Sequence, residues 1–410
     1  MKIVFFNENS HSGGLDVFLA TLINNWPDSG DDIELIGNRS HPGLEVIERR
    51  VRRPMRIVRH DIPRYVDLVY RFKDNVGLDL LRKLVSPLLR YSFFFYYIVA
   101  FAKILRRSDA DRLIIVNGGY PGGDMCRAAA ISWTCLLRKG RSIHNFHNLV
   151  SPPRGFEKLP EWLIDRGVAA CTKHFVTVSH AAAASVSNRP ALPRVERVVV
   201  IHNGVEDECT DIGKSRRGEV RKELGVADEV PVCLMLATYE PRKGHAFLME
   251  VFKKVQQEVP DARLVICGFG YPHEIERVRR LVGDARLENS VHLLGFRDNV
   301  SDLISAVDVL VVASQMYESF GLTSVEAMTC KVPVVATRVG GIPEVVVDEE
   351  GGYCVAPDDI AGFAAHLSAI LRDRDLRREL GLRGYARYQA KFTAKRMASE
   401  YQQLISSCGN

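Results

Sequence analysis

Short apolar runs rich in β-branched residues recur along the whole chain and alternate with helix-like segments. Such runs are typical of strands that are buried on both faces of a parallel sheet. The alternation therefore predicts an α/β fold with doubly wound sheets. The first half contains six candidate strands, at residues 3–6, 33–36, 113–116, 142–144, 175–178 and 198–201. The second half contains six more, at residues 232–236, 264–267, 291–294, 309–312, 334–336 and 353–355.

A polar, charged stretch at residues 206–219 separates the two series of strands. A chain of 410 residues is too long for one ordinary core, so two domains are the default. We expect one Rossmann-like domain over residues 1–207 and a second over residues 208–388, facing each other across a central cleft. Ligands of such sheets bind beyond the carboxyl ends of the strands.

Composition and charge disfavour several other classes of protein. Hydrophobic residues make up 46% and charged residues 26% of the chain, which is typical of a soluble globular protein. The net charge of +5 comes without a basic stripe interleaved with aromatic residues, so nucleic acid is not an expected partner. The nine cysteines are scattered singly, which indicates reduced thiols in the cytoplasm and no metal site. The first apolar run is too short for a signal peptide.

The stretch from Glu318 to Glu326 is the most informative motif, with the sequence Glu-Ser-Phe-Gly-Leu-Thr-Ser-Val-Glu. It connects a predicted strand to a helix-like segment through a glycine-containing turn. The N–H groups and the dipole of a helix start favour a phosphate. The two carboxylates could then accept hydrogen bonds from a sugar and from a ribose. The alternative is an exposed loop and helix with two solvated acids, which is the commoner fate of a glutamate pair.

This stretch resembles the Glu-x7-Glu motif of the family-four retaining glycosyltransferases, which have the GT-B fold. A second segment, residues 333–344, is a short predicted strand followed by a Gly-Gly turn, and it matches the same family. In that family the first glutamate contacts the donor sugar and the second contacts the ribose, which assigns these roles to Glu318 and Glu326. The resemblance places five residues around the donor: Ser319, Phe320, Gly321, Leu322 and Thr323.

Two adjacent cations, Arg242 and Lys243, follow the strand at residues 232–236 and precede a helix-like segment. A pair of this kind in a loop is often only solvated, but at a strand end it suits a diphosphate. Lys243 resembles the lysine that the family carries here. The family often has a Gly-Arg where this chain has residues 237–238, Ala-Thr, and Arg242 could replace that arginine as a forked donor.

A pair of glycines follows the first predicted strand, in the sequence Ser12-Gly13-Gly14. Paired glycines let a backbone approach a phosphate closely, although such pairs often form only a turn. Their position resembles the family's Gly-Gly loop, which faces the donor diphosphate. The resemblance therefore implies that Gly13 and Gly14 bind the donor.

Two further candidates lie at predicted strand ends. His144, followed by Asn145, ends the predicted strand at residues 142–144 and resembles the family's His-Asp or His-Asn, whose histidine contacts the transferred sugar. His147, three residues on, is a second candidate that would touch the acceptor. Phe296 follows another predicted strand and is expected near the nucleotide base, or equally in the core.

Together these resemblances imply retaining hexosyl transfer from a nucleotide diphosphate sugar, with UDP favoured over GDP-mannose, to a glycan or lipid-linked acceptor in cell-surface polysaccharide or glycolipid biosynthesis. No metal and no cofactor besides the sugar nucleotide is expected. Lys243, Arg242, the glycine amides and the helix start would stabilise the leaving diphosphate. A GT-B epimerase or hydrolase and a non-catalytic sugar-binding protein stay open as alternatives. A dinucleotide oxidoreductase is disfavoured because no G-x-G-x-x-G follows the first strand.

The region from residue 37 to residue 110 matches no motif of the family. It contains a dense basic cluster and then a twelve-residue apolar run at residues 91–102, which is too short to span a bilayer. The run is either a buried helix of the first domain or a patch that binds anionic lipid at the inner face of the cell membrane. As in GT-B proteins, the final helix, about residues 389–410, is expected to pack back onto the first domain.

Overall fold

The computed structural model describes residues 1–9, 13–70, 76–192, 197–209 and 212–407, with the backbone alone at 68, 70, 76–85 and 212–215. Two compact units divide the chain: Met1–Ile201 with Met397–Asn410, and His202–Arg396. The division falls shortly before the charged stretch at residues 206–219, of which residues 210 and 211 lie outside the described part. Each unit is built on one parallel sheet.

The first unit has a seven-stranded parallel sheet in the order β3-β2-β1-β4-β5-β6-β7. Its strands are β1 (Lys2–Asn7), β2 (Asp32–Asn38), β3 (Arg56–His60), β4 (Arg112–Asn117), β5 (Ser142–Phe146), β6 (Thr172–Thr177) and β7 (Val198–Val200). Its helices up to the division are α1 (Gly14–Asn24), α2 (Gly43–Arg50), α3 (Tyr65–Tyr70), α4 (Val76–Ser108), α5 (Asp124–Ile131), α6 (Lys158–Cys171) and α7 (His180–Ala184).

The second unit has a six-stranded parallel sheet in the order β10-β9-β8-β11-β12-β13. Its strands are β8 (Val232–Leu236), β9 (Arg263–Cys267), β10 (Val291–Leu294), β11 (Val309–Val312), β12 (Val334–Thr337) and β13 (Gly352–Val355). Its helices are α8 (Ile212–Glu223), α9 (His245–Glu258), α10 (Pro272–Asp284), α11 (Val300–Ser305), α12 (Leu322–Thr329), α13 (Ile342–Val345), α14 (Ile360–Arg372) and α15 (Arg374–Lys391). A final helix, α16 (Ala394–Ser406), ends the described chain.

Alternation of side chains along β1 supplies both cores of the first unit. Ile3 and Phe5 pack with α1, α2 and α16, whereas Val4 and Phe6 pack with α4, α5 and α6 on the other face. This follows from the two-residue period of a strand. Tyr401 of α16 accepts a hydrogen bond of 2.7 Å from the buried Asn145 side chain, which fixes the last helix against this sheet.

The sequence prediction missed strand β3. This strand is at the edge of the sheet, and only its last residue is fully buried. Edge strands often carry charged residues, which prevent pairing with other chains. Because Arg56 and Arg59 lie in β3, this strand lacks the continuous apolar run by which the buried strands were predicted. All twelve strands that were predicted from the sequence overlap a strand of the structure.

The sequence predicted reduced thiols, but not all of the cysteines are free in the structure. Cys209 and Cys330 form a disulfide within the second unit, with their Cα atoms 4.9 Å apart. The two residues are 121 positions apart in sequence, so their pairing could not be predicted from the local spacing of cysteines. Six other cysteines of the described chain are free.

Candidate functional site

The order of the strands in the second unit reverses between β8 and β11. Connections from these two neighbouring strands leave toward opposite faces, and this leaves a crevice beyond their carboxyl ends. Lys243 lies in the loop after β8, and Glu318 lies in the loop after β11. Their side chains meet there, with Lys243 Nζ 2.5 Å from Glu318 Oε2. The side chains are 15% and 19% exposed, so the ion pair is sheltered but open to a ligand.

Backbone contacts hold the two loops in fixed positions. The Gln315 amide donates to the Arg242 carbonyl at 2.9 Å, which joins the loop after β11 to the loop after β8. Gly244 has a φ of +82°, and a Cβ there would lie 1.8 Å from the Ala313 carbonyl oxygen. No other residue type could take this position.

A third loop, after β12, fixes the backbone of Glu318. The Gly341 amide donates to the Glu318 carbonyl oxygen at 2.8 Å. Gly340 has a φ of +56°, and a Cβ there would lie 2.0 Å from the same oxygen. The Gly-Gly turn at residues 340–341 thus fixes the backbone of the first glutamate of the motif.

The turn after Glu318 opens helix α12. Gly321 is the N-cap residue, with a φ of +85°, and as a glycine it has no side chain to cap the helix. The first N–H groups of a helix without a side-chain cap, together with its dipole, form a site that favours an anion. Leu322, Thr323 and Glu326 are half-buried on the first turns of α12.

Ser319 and Phe320, which the resemblance placed around the donor, are buried in the second unit. The Phe320 ring packs against the rings of His202 and Phe392, at centroid distances of 5.8 Å each. Phe320 is therefore a packing residue in this structure. Its backbone still belongs to the turn that leads into α12.

Arg242 is engaged differently from Lys243. Its Nε atom donates to Glu240 at 2.6 Å, and its guanidinium lies 5.5 Å from the centre of the Tyr317 ring. Burial would raise the pKa of the Glu240 carboxyl, but the hydrogen bond and charge of Arg242 hold it below its usual value. Arg242 thus has a carboxylate partner within its own loop, and Lys243 is the cation that faces Glu318.

Aromatic rings stand at the carboxyl ends of the neighbouring strands β9 and β10. Phe296, in the loop after β10, is 68% exposed, so the alternative that it belongs to the core is wrong. Phe269 and Tyr271, in the loop after β9, are also exposed, with their ring centroids 5.5 Å apart. Exposed rings suit the flat face of a base. Phe269 and Tyr271 were not predicted from the sequence, although the glycines at 268 and 270 indicate a loop there.

His144 does not end its strand. Strand β5 continues to Phe146, and the His144 ring is fully buried between Tyr120 and Phe175. Neither ring nitrogen has a hydrogen-bond partner within the described residues. Burial, reinforced by the charge of Arg127, lowers the pKa of His144 to about 3, so the ring is neutral. The polar residues inside the strand made it look shorter than it is.

His147 and Asn148 repeat the same dipeptide, and they come directly after β5. The His147 amide donates to the Asn117 carbonyl at 3.1 Å, and its half-buried ring packs against Phe18 with centroids 4.1 Å apart. Burial lowers the pKa of His147 to about 3. His147 is thus the histidine at the carboxyl end of this strand, in the position that the sequence analysis gave to His144.

The glycine loop of the first unit is tied to its own helix. The Gly13 amide donates to Asp16 at 2.9 Å, and the buried Asp16 carboxylate lies 3.1 Å from His41 Nε2. Gly14 is the first residue of α1. The Gly13 amide already has an acceptor, whereas Ser12 lies outside the described residues. The buried Asp16–His41 pair gave no signal in the sequence.

Two Asp-x-Asp sequences occur in the chain, and one aspartate of each accepts hydrogen bonds from backbone amides. Asp373, before Asp375, caps α15 by accepting from the Asp375 and Leu376 amides at 2.9 and 3.0 Å. Asp111, after Asp109, accepts from the Lys2 amide at 2.8 Å. Neither pair lies at the carboxyl end of a strand in this structure.

Glu8, just after β1, is a titratable group that the sequence analysis did not single out. Its carboxylate accepts from the Met125 amide at 3.1 Å. Burial, with the nearby charge of Asp124 adding to it, raises the pKa of Glu8 from 4.5 to about 7. A carboxyl group with a raised pKa in the folded state binds its proton more tightly there than in the unfolded chain.

Glu8 should therefore make the protein less stable as the pH rises from about 4.5 to about 7. The Glu8→Gln variant keeps the acceptor for Met125 but has no charge to bury. We expect its melting temperature to fall less over this pH range, by several degrees, than that of the wild type. Glu250→Gln, at an exposed position of α9, is the control. Parallel pH curves for all three proteins would contradict the assignment.

Two family descriptions match consecutive parts of the chain. "Glycosyltransferase Family 4" matches residues 12–208, and "Glycosyl transferases group 1" matches residues 216–387. N-acetyl-alpha-D-glucosaminyl L-malate synthase of Bacillus anthracis is 32% identical over 186 residues, which are 45% of this chain and 48% of that protein. Alpha-maltose-1-phosphate synthase of Mycobacterium tuberculosis is 34% identical over 180 residues, 42% of this chain and 46% of that protein. The chain spans about half the length of these curated relatives.

Solved structures extend the similarity in fold over the whole chain. Anabaena HepE in complex with UDP and glucose has a TM-score of 0.75 at 20% identity, covering 99% of this chain and 100% of that one. WaaG, a glycosyltransferase involved in lipopolysaccharide biosynthesis, has a TM-score of 0.65 at 16% identity, covering 99% of each chain. Both units are thus Rossmann-like units of the GT-B class. Because the two family matches take in nearly all of the chain, the protein belongs to the family-four glycosyltransferases.

Proposed function

We propose that this protein is a retaining glycosyltransferase that moves a hexosyl unit from a nucleotide diphosphate sugar, preferably a UDP-sugar, to a glycan or lipid-linked acceptor. The contact between Lys243 and Glu318 beside the start of α12 supports this most directly. A cation and a helix start suit a diphosphate, and a carboxylate accepts hydrogen bonds from sugar hydroxyls. All three lie at the crevice where parallel sheets bind ligands.

In the proposed reaction, Glu318 orients the sugar through its hydroxyls. The bond between the anomeric carbon and the diphosphate oxygen breaks, and a bond to the acceptor oxygen forms on the same face of the sugar. Lys243 and the N–H groups at the start of α12 stabilise the charge on the leaving diphosphate. The acceptor proton passes to that diphosphate, so no protein base and no metal is assigned.

The nucleoside would occupy the far end of the same crevice. Glu326, one turn into α12, would accept hydrogen bonds from the ribose hydroxyls. The exposed Phe296 and Phe269 rings offer a flat surface for the base. The UDP in the HepE structure is consistent with a uracil base for a chain of this fold, whereas GDP-mannose is the second candidate.

The first unit would bind the acceptor. His147, at the carboxyl end of β5, is proposed to contact the acceptor, whereas the ring of His144 is enclosed by the core. The name of LpsE of Rhizobium meliloti, a lipopolysaccharide core biosynthesis glycosyltransferase, favours a role in cell-surface polysaccharide or glycolipid synthesis. A cytoplasmic location at the inner face of the cell membrane is a separate proposal.

UDP should raise the melting temperature of the protein, and ADP and NAD should not. A ligand at a hundred times its Kd stabilises a protein by about 2.7 kcal/mol, which corresponds to several degrees. The Glu326→Ala variant should lose most of this shift because the ribose loses its acceptor. Glu250→Ala, which removes an exposed carboxylate of α9, should keep it. Side-by-side melting curves with UDP, GDP, ADP and NAD test the proposal.

A rise in melting temperature with GDP alone would mean that the donor carries guanine instead of uracil, and the proposed donor site would stand. A response to NAD only, or to no nucleotide diphosphate, would contradict the proposed function. Product analysis then separates the alternatives that share the fold. A transferase attaches the sugar to an added acceptor, whereas an epimerase or hydrolase releases an altered or free sugar.

A further inference from the structure

Helix α4 is more apolar than a surface helix of a soluble protein. Its residues Ser86–Ser108 form a 23-residue segment with a mean hydropathy of 1.5, long and apolar enough to cross a membrane. The apolar run at residues 91–102, which is too short to span a bilayer, is only part of this segment. The apolar segment is nearly twice as long, but only 28% of its most apolar window is buried in the structure.

The inner face of α4 is part of the core of the first unit. Phe94, Tyr97, Phe101 and Leu105 are at most 3% exposed and pack with β1 and β4. A spanning orientation would strip this core of large side chains, each of which contributes about 1.5–3 kcal/mol by its burial. The helix therefore stays on the sheet, and only its outer face is available.

That outer face is apolar as well. Leu88, Phe95, Tyr96 and Val99 are 70%, 69%, 48% and 55% exposed. Their spacing of seven, one and three residues places them on one side of a helix. A surface helix normally presents charged or polar residues on this side, and a group of large exposed apolar residues marks an interaction site.

Helix α6 and the short turn before it present a second apolar face. Phe156, Leu159, Trp162 and Leu163 are between 39% and 76% exposed. Helices α4 and α6 both pack on α5, on the same face of the sheet. Arg90 also joins them, with its guanidinium 3.3 Å from Glu157 and 3.1 Å from Glu161. We call the outer faces of the two helices the α4–α6 surface.

Within Ser86–Ser108 the exposed charges have one sign, whereas the exposed Asp109 directly follows the helix. Ser86–Ser108 contains no acidic residue, and its exposed cations are Lys103, Arg106 and Arg107 at the end of α4. On α6, the Arg166 guanidinium lies 4.8 Å from the centre of the Trp162 ring. Tryptophan and tyrosine beside arginine and lysine form the composition that settles at the boundary between lipid headgroups and acyl chains.

We propose that the α4–α6 surface inserts into one leaflet of an anionic lipid bilayer. The exposed aromatic and aliphatic side chains enter the boundary of the acyl chains, while the cations at the end of α4 contact lipid phosphates. A second copy of this chain is the weaker candidate, because Ser86–Ser108 offers no acidic residue with which the cations at the end of α4 could pair. The inference does not depend on the proposed reaction, since lipid binding and nucleotide binding are measured separately.

Flotation of the full-length protein with vesicles tests this proposal. The wild type should float with vesicles of phosphatidylcholine and phosphatidylglycerol and much less with phosphatidylcholine alone. The double variant Phe95→Glu with Val99→Glu should lose at least about tenfold in partitioning. Neutralising Lys103, Arg106 and Arg107 should weaken it by about fivefold per charge and remove its dependence on salt.

Leu382→Glu is the matched control, because Leu382 is 49% exposed on α15 of the other unit. It should float like the wild type. Each variant should keep the wild-type melting temperature and UDP response, so that a loss of lipid binding is not a loss of fold. A wild type that stays with the soluble fraction at low salt would overturn the proposal. So would equal flotation of the double variant, or a dimer that dissociates in that variant without any vesicle binding.

Discussion

Replacing Glu318 with alanine is expected to reduce sugar transfer by about 10²–10³-fold, while the shift of the melting temperature with UDP persists. The two effects separate because Glu318 would act on the sugar, whereas UDP would be held by the helix start, Lys243 and Glu326. In the proposed reaction, the loss should fall on kcat more than on KM for the donor. The measurement is transfer from a labelled UDP-sugar, alongside melting curves with UDP.

The fold should survive this substitution. The Lys243–Glu318 pair is partly exposed, and such a pair stabilises a protein by about 0–1 kcal/mol at most. The backbone of Glu318 is held by Gly341 whatever its side chain. Glu250→Ala should transfer sugar at the wild-type rate. Near-normal turnover in Glu318→Ala, or a loss of turnover together with the loss of the UDP shift, would contradict the assigned role.

The fold could be predicted from local sequence patterns because the buried strands of a parallel sheet have a recognisable composition over a few residues. Buried strands such as β11 are continuous apolar runs, and glycines mark the loops beyond them. The ion pair could not be derived in the same way, since Lys243 and Glu318 are 75 residues apart. Only the order of the strands brings β8 beside β11. The sequence therefore identified both residues without indicating that they touch.

Other features were missed because polar residues interrupt the expected patterns. His144 and Asn145 lie inside β5, so the strand looked as if it ended at the first histidine. Strand β3 carries arginines at the edge of its sheet. The apolar run at residues 91–102 had two interpretations, a buried helix or a lipid-binding patch. An apolar run longer than three turns places apolar side chains on every side of a helix. One face is in the core and the other is exposed, which no periodicity could separate.

A buried ionic cluster gives the largest expected effect on stability. Arg127 is fully buried, where it pairs with Asp124 and donates to Glu161 at 2.7 Å. Arg189 contacts the same Glu161 carboxylate at 2.6 Å, and Asp165 at 2.9 Å. Removing one partner of such a cluster leaves buried charges without compensation. We therefore expect Arg127→Met to destabilise the first unit by about 3–5 kcal/mol.

The loss should depend on pH in a defined direction. Burial would raise the pKa of Asp124 and of Glu161, but Arg127 and Arg90 hold both below their usual values. Carboxyls with lowered pKa values stabilise the folded state above their unfolded pKa, and this contribution disappears as the pH falls through the folded pKa. Arg127 is the main cause of these lowered pKa values. The melting temperature of Arg127→Met should therefore differ most from that of the wild type at neutral pH and least in acid.

Melting temperatures of the wild type and Arg127→Met at several pH values measure this difference. Arg383→Met removes an exposed pair with Glu379 and should shift the melting temperature little at any pH. Arg127→Lys should fall between the two, because it keeps the charge but loses the fork that reaches Asp124 and Glu161 together. An Arg127→Met variant as stable as the wild type at neutral pH would mean that the buried carboxyls already carry protons, and that hydrogen bonds rather than charge hold this cluster together.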